Sequence, residues 1–178
     1  MPITTGYPDK LDLSQPQASQ TSIDFLNVQR DHEVLKRCYS PSIGLNLLPG
    51  MYCMPIYAVP KPHSEKLRLV NDHSASKFSL NSVVDHNQVT GYPMDSLAQF
   101  GERLVKLQPD LRKLDSIVVW KSDISEAYRI CPLHPFWQLK QGVCIGDDVH
   151  VDRCIVFGSS ASPAIFIAFN SLVTWIAR

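Results

Sequence analysis

The chain has 178 residues and a mass of 20.0 kDa, with 44% hydrophobic and 19% charged residues, which excludes a wholly disordered chain or a linker. Its 17 Lys and Arg cancel 17 Asp and Glu, so any attraction for phosphate must come from local clusters rather than from a global field. The five cysteines, Cys38, Cys53, Cys131, Cys144 and Cys154, contain no C-x-x-C pair and form an odd set, which points to free thiols in a reducing compartment. The N-terminus lacks an apolar signal core, and Asn170, Ser171 and Thr174 interrupt the longest apolar stretch, Ala164 to Ala177. The expectation is an intracellular protein, cytoplasmic or nuclear, neither secreted nor membrane-bound.

Residues 1–50 read as a variable, partly disordered N-terminal region, with one modest helix over 22–37 on Ile23, Phe25, Leu26, Val28 and Leu35. Residues 52–59 and 66–71 predict two strands around the polar turn Pro60-Lys61-Pro62-His63-Ser64-Glu65. Met94, Leu97, Phe100, Leu104 and Leu107 recur at helical spacing and predict a helix over 93–107 that opens at Pro93. Ile117-Val118-Val119-Trp120 is short and wholly apolar, as a buried central strand would be, and leads into Ser122-Asp123. A helical turn over 125–128 follows, which Pro132 and Pro135 are expected to close. Two strands, 138–145 and 149–157, meet at a Gly146-Asp147-Asp148 turn, and Ser162 and Pro163 start a last helix. No C-cap follows that helix, so the chain is expected to stop before its domain does, leaving apolar helix surface uncovered and stability marginal.

The chemistry-bearing candidates begin with Asp123. A carboxylate just past a buried strand serves either as a turn-former or as a Mg²⁺ ligand, with phosphate and water completing the ion's shell. Tyr128, just across the turn, is either ordinary core packing or a ring set against a sugar, where it would exclude a 2′-hydroxyl. Lys61, Lys66 and Arg68 flank the hairpin turn; they are either edge-protecting charges or the point charges and planar fork that suit a triphosphate.

Taken together, these residues resemble the reverse transcriptases. Tyr57-Ala58-Val59-Pro60-Lys61-Pro62, Lys66-Leu67-Arg68-Leu69-Val70-Asn71-Asp72 and Leu80-Asn81 are similar to the family's fingers signature. Ser122-Asp123-Ile124-Ser125-Glu126-Ala127-Tyr128 with Pro132-Leu133-His134-Pro135 resembles its first palm motif, and Phe157-Gly158-Ser159-Ser160-Ala161-Ser162-Pro163-Ala164-Ile165-Phe166 its second. The order is the family's, and the wording is most similar to retrotransposon polymerases.

The resemblance implies an α+β fold: reverse-transcriptase-like fingers over 51–92 and an incomplete palm over 93–178, truncated before the family's Tyr-x-Asp-Asp hairpin. It implies two catalytic Mg²⁺ ions, both held by the Asp123 carboxylate and one of them also by the Ile124 carbonyl, with Asp123 the catalytic carboxylate. Tyr128 would be the sugar gate. Lys61 and Arg68, or Lys66 in the other alignment of the turn, would hold the incoming triphosphate. Phe157 and Gly158 would meet nucleotide and template, although many relatives carry Gln where Phe157 stands. The implied partners are an RNA/DNA template–primer, a dNTP and the remainder of a polyprotein.

Without the paired aspartates the isolated chain is expected not to polymerise. Gly146-Asp147-Asp148 does not replace them, because it lies between the first and second palm motifs and is ordinary hairpin chemistry. The second reading is a non-catalytic nucleic-acid-binding remnant using Lys61, Lys66, Arg68, Lys106, Arg112 and Lys113. Two further patterns fall away. Gly158 to Ser162 lacks the closing Gly of a nucleophile elbow, and Cys144, His150 and Cys154 have no zinc spacing.

Overall fold

Ser19 opens the first helix by accepting the Ser22 N–H on its Oγ at 3.2 Å, as an N-cap residue does. The helix, α1 (Gln20–Leu35), therefore begins and ends two residues earlier than the apolar spacing suggested. The computed structural model describes residues 18–45, 47–91, 96–111 and 123–176. The expected strand at 117–120, the residues Arg112, Lys113 and Ser122, and the Pro93 start of the second helix lie outside them.

The single expected strand over 52–59 is two strands in two sheets. Pro55 has no N–H to give a ladder and splits the run into β1 (Cys53–Met54) and β2 (Ile56–Pro60), while its carbonyl accepts the Asp72 N–H at 2.9 Å. β2 pairs antiparallel with β3 (Leu67–Asn71), from Ile56 opposite Asn71 to Pro60 opposite Leu67. The Lys61 N–H donates to the Lys66 carbonyl at 2.8 Å and closes the tip, with His63 in left-handed backbone at φ 56°.

β1 runs parallel to β4 (Gly142–Ile145), which pairs antiparallel with β5 (Asp148–Val151). The turn between them is Gly146-Asp147, with Gly146 at φ 63°, and Asp148 pairs with Ile145. The three-stranded sheet thus joins chain at residues 53–54 to chain at residues 142–151, far apart in the sequence. The strand expected over 138–145 begins later, because Pro135 opens rather than closes a helix. That short helix is α4 (Pro135–Gln138), and the His134 ring accepts the Phe136 N–H at 3.2 Å. The strand expected over 149–157 gives way after Val151 to isolated bridges, Tyr39 with Asp152 and Pro132 with Cys154.

α1 packs on β2, β3 and β4. Leu26 joins Tyr39, Tyr52, Met54, Ile56, Val143 and Ile145 in one buried cluster, with Phe25, Val34, Ala58, Leu69 and Phe78 around it. Gly142 makes the β1–β4 contact possible: a Cβ there would lie 2.8 Å from both Cys53 Sγ and the Tyr52 carbonyl oxygen. A short α2 (His86–Val89) is capped by the Asp85 side chain. α3 (Leu97–Leu111) continues one turn past Leu107.

α5 (Ser162–Ile176) has Pro163 in its first turn, but Ser162 does not cap it: its hydroxyl donates to the Val156 carbonyl at 2.6 Å. Both α3 and α5 show apolar residues to solvent, among them Leu97 and Val105 on α3 and Leu172, Trp175 and Ile176 on α5. The mixed helix-and-sheet architecture is α+β. No described helix is long and apolar enough to cross a membrane.

Candidate functional site

The hairpin presents its faces alternately, as pleated strands must. Ile56, Ala58 and Leu69 face the core, whereas Arg68, opposite Val59, is exposed. Lys61 and Lys66 are exposed at the tip, and among the described residues none of the three cations is ion-paired. From Asn71 to Leu67 the strand spans about 13 Å at ~3.3 Å per residue, which sets the reach of the basic tip from the hairpin's base.

That base is where the motif stretches meet. The chain turns after Asp72, whose carboxylate accepts the Ser74 N–H at 2.9 Å, and returns to a 3₁₀ turn at Asn81–Val83. The Asn81 Nδ2 donates to the Gly158 carbonyl at 2.8 Å, and its Oδ1 accepts the Ser160 N–H at 2.9 Å. Gly158 is at φ 97°, a left-handed conformation that favours glycine, and a Cβ there would sit 3.3 Å from the His73 ring and 3.4 Å from the Asn71 carbonyl oxygen. Beside it the Phe157 ring lies 4.6 Å from the Tyr128 ring, and Phe166 of α5 meets Tyr128 edge-on at 5.5 Å. Tyr128, Phe157 and Gly158 therefore form one assembly against the hairpin's base.

Tyr128 is carried by a 3₁₀ turn, Ala127–Ile130, shifted along the chain from the turn expected over 125–128. Glu126 precedes it in left-handed backbone at φ 53°. Arg129 reaches inward from the same turn. Its guanidinium donates to both oxygens of Asp152 at 2.8 Å and to Glu33 of α1 at 2.5 Å, and it lies 5.8 Å from the Tyr39 ring centre. Burial works against the guanidinium's charge, but Asp152 and Glu33 outweigh it and hold Arg129 more firmly protonated than usual. Burial also pushes the Asp152 carboxyl up to about 6, against the pull of Arg129. On the outer side Lys36 pairs with both oxygens of Glu126, at 2.5 and 2.6 Å.

Asp123 and Ile124 stand exposed at the start of this segment. Asp123 has no ion-pair partner among the described residues, which also gather no group of three His, Cys, Asp or Glu side chains. One free carboxylate and a neighbouring carbonyl are hard oxygen donors of the kind Mg²⁺ takes, but they fall short of its octahedral set. They suit an ion that arrives with phosphate and water.

Sequence reasoning quoted Asn81 without assigning it a task and missed Glu33, Arg129, Asp152 and His73. His73 is buried, with neither ring nitrogen hydrogen-bonded among the described residues, and burial pulls it down to about 4 despite Asp72. The five cysteines are all free and buried. Cys144 and His150 occupy successive register positions of the β4–β5 ladder and so face opposite sides of the sheet. A mainly apolar cavity of ≈ 220 Å³, lined by Leu80, Val89, Leu133, Trp137, Ile155 and Ile165 among others, includes none of the expected site residues. No protein-family model matches the sequence, and no curated protein is significantly similar to it.

Proposed function

We propose that this chain provides the fingers and early palm of a reverse-transcriptase-like nucleotidyltransferase that acts on an RNA/DNA template–primer and a dNTP. One observation supports the reading above others. Asn81 grips Gly158 and Ser160, and Tyr128 packs on Phe157, so the three stretches that resemble the family's motifs converge. A ring braced on two sides has the stiffness that a sugar gate needs against a 2′-hydroxyl.

In this reading the incoming nucleotide lays its sugar against Tyr128 and its phosphates toward Arg68 and the Lys61–Lys66 tip, where a planar fork and point charges meet phosphate oxygens. Asp123, with the Ile124 carbonyl, would hold a Mg²⁺ that arrives with the triphosphate; such an ion neutralises charge as a primer hydroxyl displaces pyrophosphate. Asp123 is the one carboxylate of the family's set found here in a matching motif, and primer extension by residues 1–178 alone is expected to be absent.

The test is nucleotide binding in Mg²⁺. Titration with dGTP and GTP is expected to show a preference for dGTP, which Tyr128→Ala abolishes, and Arg68→Ala is expected to weaken both nucleotides. Binding that is indifferent to both substitutions would overturn the reading.

The exposed state of Lys61, Lys66 and Arg68, none of them ion-paired among the described residues, also favours the second reading, a nucleic-acid-binding piece without catalysis, with Lys106 exposed on α3 as a further phosphate contact. Arg112 and Lys113 lie outside the described residues. This reading requires affinity for single-stranded RNA or DNA that falls steeply with salt and is unchanged by chelating Mg²⁺.

A further inference from the structure

We infer that the last turn of α1, a helix outside every motif stretch, positions the Tyr128 ring through two ion pairs. This rests on the gate assigned to Tyr128 above and adds what holds that gate in place.

The turn that carries Tyr128 has little strength of its own. It is a four-residue 3₁₀ segment, Ala127–Ile130, entered through Glu126 in left-handed backbone at φ 53°. So short a 3₁₀ turn has poor hydrogen-bond geometry, and a non-glycine residue at positive φ persists only when its surroundings hold it.

Glu33 in the last turn of α1 and Lys36, the residue that caps its end, supply the hold. Glu33 and Lys36 are three positions apart and share one face of the helix's end. Lys36 takes Glu126 at 2.5 and 2.6 Å, just before Tyr128, and Glu33 takes Arg129 at 2.5 Å, just after it. Asp152 completes the inner side with two 2.8 Å bonds to the same guanidinium. The Tyr128 ring is thereby backed by a clamp on its own backbone and faced by Phe157 and Phe166. Placement matters for a steric gate, because a displacement of even 1 Å admits the group it should reject.

α1 also packs on β2 and β3, the second of which bears Arg68. One helix therefore registers the hairpin's base against the turn that carries the ring. Glu33, Lys36, Glu126, Arg129 and Asp152 are positioning residues in this scheme; none of them touches substrate.

The experiment uses the full chain with 3-fluorotyrosine incorporated, the Tyr128 resonance being identified by its loss in Tyr128→Phe. Lys36→Glu and Glu126→Lys are each expected to move that resonance toward the free-tyrosine position as the ring leaves Phe157. Combining them is expected to restore it, because the pair is then reversed rather than broken. Arg129→Lys, which keeps the charge and loses the fork, is expected to move it as well. Melting temperatures are recorded alongside: single charge changes that lower them but leave the resonance in place would mean the pairs only stabilise the fold, and would overturn the inference. In parallel, the preference for dGTP over GTP is expected to fall about threefold in either single variant, in line with one partly exposed ion pair, and to return in the double. If the resonance behaves as stated while the wild-type chain shows no preference for dGTP, the clamp stands and the gate assigned to Tyr128 falls.

Discussion

The side-chain amide of Asn81 closes on the backbone of Gly158 at the hairpin's base, donating to its carbonyl at 2.8 Å while accepting the Ser160 N–H at 2.9 Å. A single side chain thus spans both polar directions of a loop that must stay open for glycine at φ 97°.

Asn81→Ala removes these bonds, together with the one its Nδ2 donates to Ser74 Oγ at 2.9 Å and the one its Oδ1 accepts from the Ser160 hydroxyl at 3.3 Å, and leaves the Ser160 N–H without its acceptor. The expected cost is about 1–3 kcal/mol of stability, read as a lower urea midpoint at an unchanged slope. The Phe157 ring is expected to loosen with it, so fluorescence or NMR probes at Tyr128 should respond in the same variant.

Gly142→Ala places a methyl 2.8 Å from a sulfur and from a backbone oxygen at the β1–β4 contact. Overpacking of that kind costs roughly 1–3 kcal/mol. Adding Cys53→Ala removes the sulfur but not the Tyr52 carbonyl. The double variant is therefore expected to recover only part of the loss in a denaturant titration.

Arg129→Met strands two buried carboxylates, Asp152 and Glu33, without their shared cation. The expected loss is about 3–5 kcal/mol. Replacing all three together, as Glu33→Leu, Arg129→Met and Asp152→Leu, is expected to be milder than the single change, because no unpaired charge remains. It is not expected to be neutral, since Asp152 also accepts the Cys154 N–H at 3.1 Å. Urea midpoints of the single and triple variants decide between these orders.

His73 sets an acid limit. Unfolded, it takes up a proton below its ordinary value of 6.5; folded, burial delays that to about 4. Between those values the unfolded state holds more protons, so this group's contribution is lost as the pH falls, by about 3 kcal/mol at ~1.36 kcal/mol per pH unit. Asp152 has the opposite sign: its folded carboxyl, raised from 3.8 to about 6, takes its proton before the unfolded one, so it favours the fold on acidification over much of the same range. The wild-type profile is expected to be shallow where the two oppose. The stability of His73→Phe relative to wild type is expected to grow as the pH drops from 6.5 to 4; a constant difference would show that His73 does not titrate in this way.

Local chemistry made some elements readable in the sequence and hid others. The β2–β3 hairpin and α5 announce themselves through alternation, a polar turn and a proline at a helix start, all signals that act over a few residues. Pro55 and Pro135 were harder, because a proline can end one element or begin another. At Pro55 the deciding partner, Asp72, is distant in the sequence; at Pro135 it is the neighbouring His134 ring, whose capping role shows only once the chain has turned. The Arg129 cluster was illegible for a stronger reason. Glu33, Arg129 and Asp152 lie on three separate stretches, and each looks like an ordinary surface charge until folding removes water from all three. Tyr128 and Gly158 could be singled out because the stretches that contain them are contiguous, but that they pack into one assembly shows only in the fold. Asn81, which ties those motifs together, gave no sign beyond its place at the end of one of them.

Burial of all five sulfurs gives the molecule a clock. Alkylating or aromatic-disulfide reagents react with thiolates, and the interior both shields these groups and, at Cys53 and Cys154, pushes their ionisation up to about 12. Modification must therefore wait for the chain to open, and the rate at which each cysteine is labelled in the native state times the opening of its own neighbourhood. Cys53 and Cys144 report on the three-stranded sheet, while Cys38, Cys131 and Cys154 report on the seam beside Arg129.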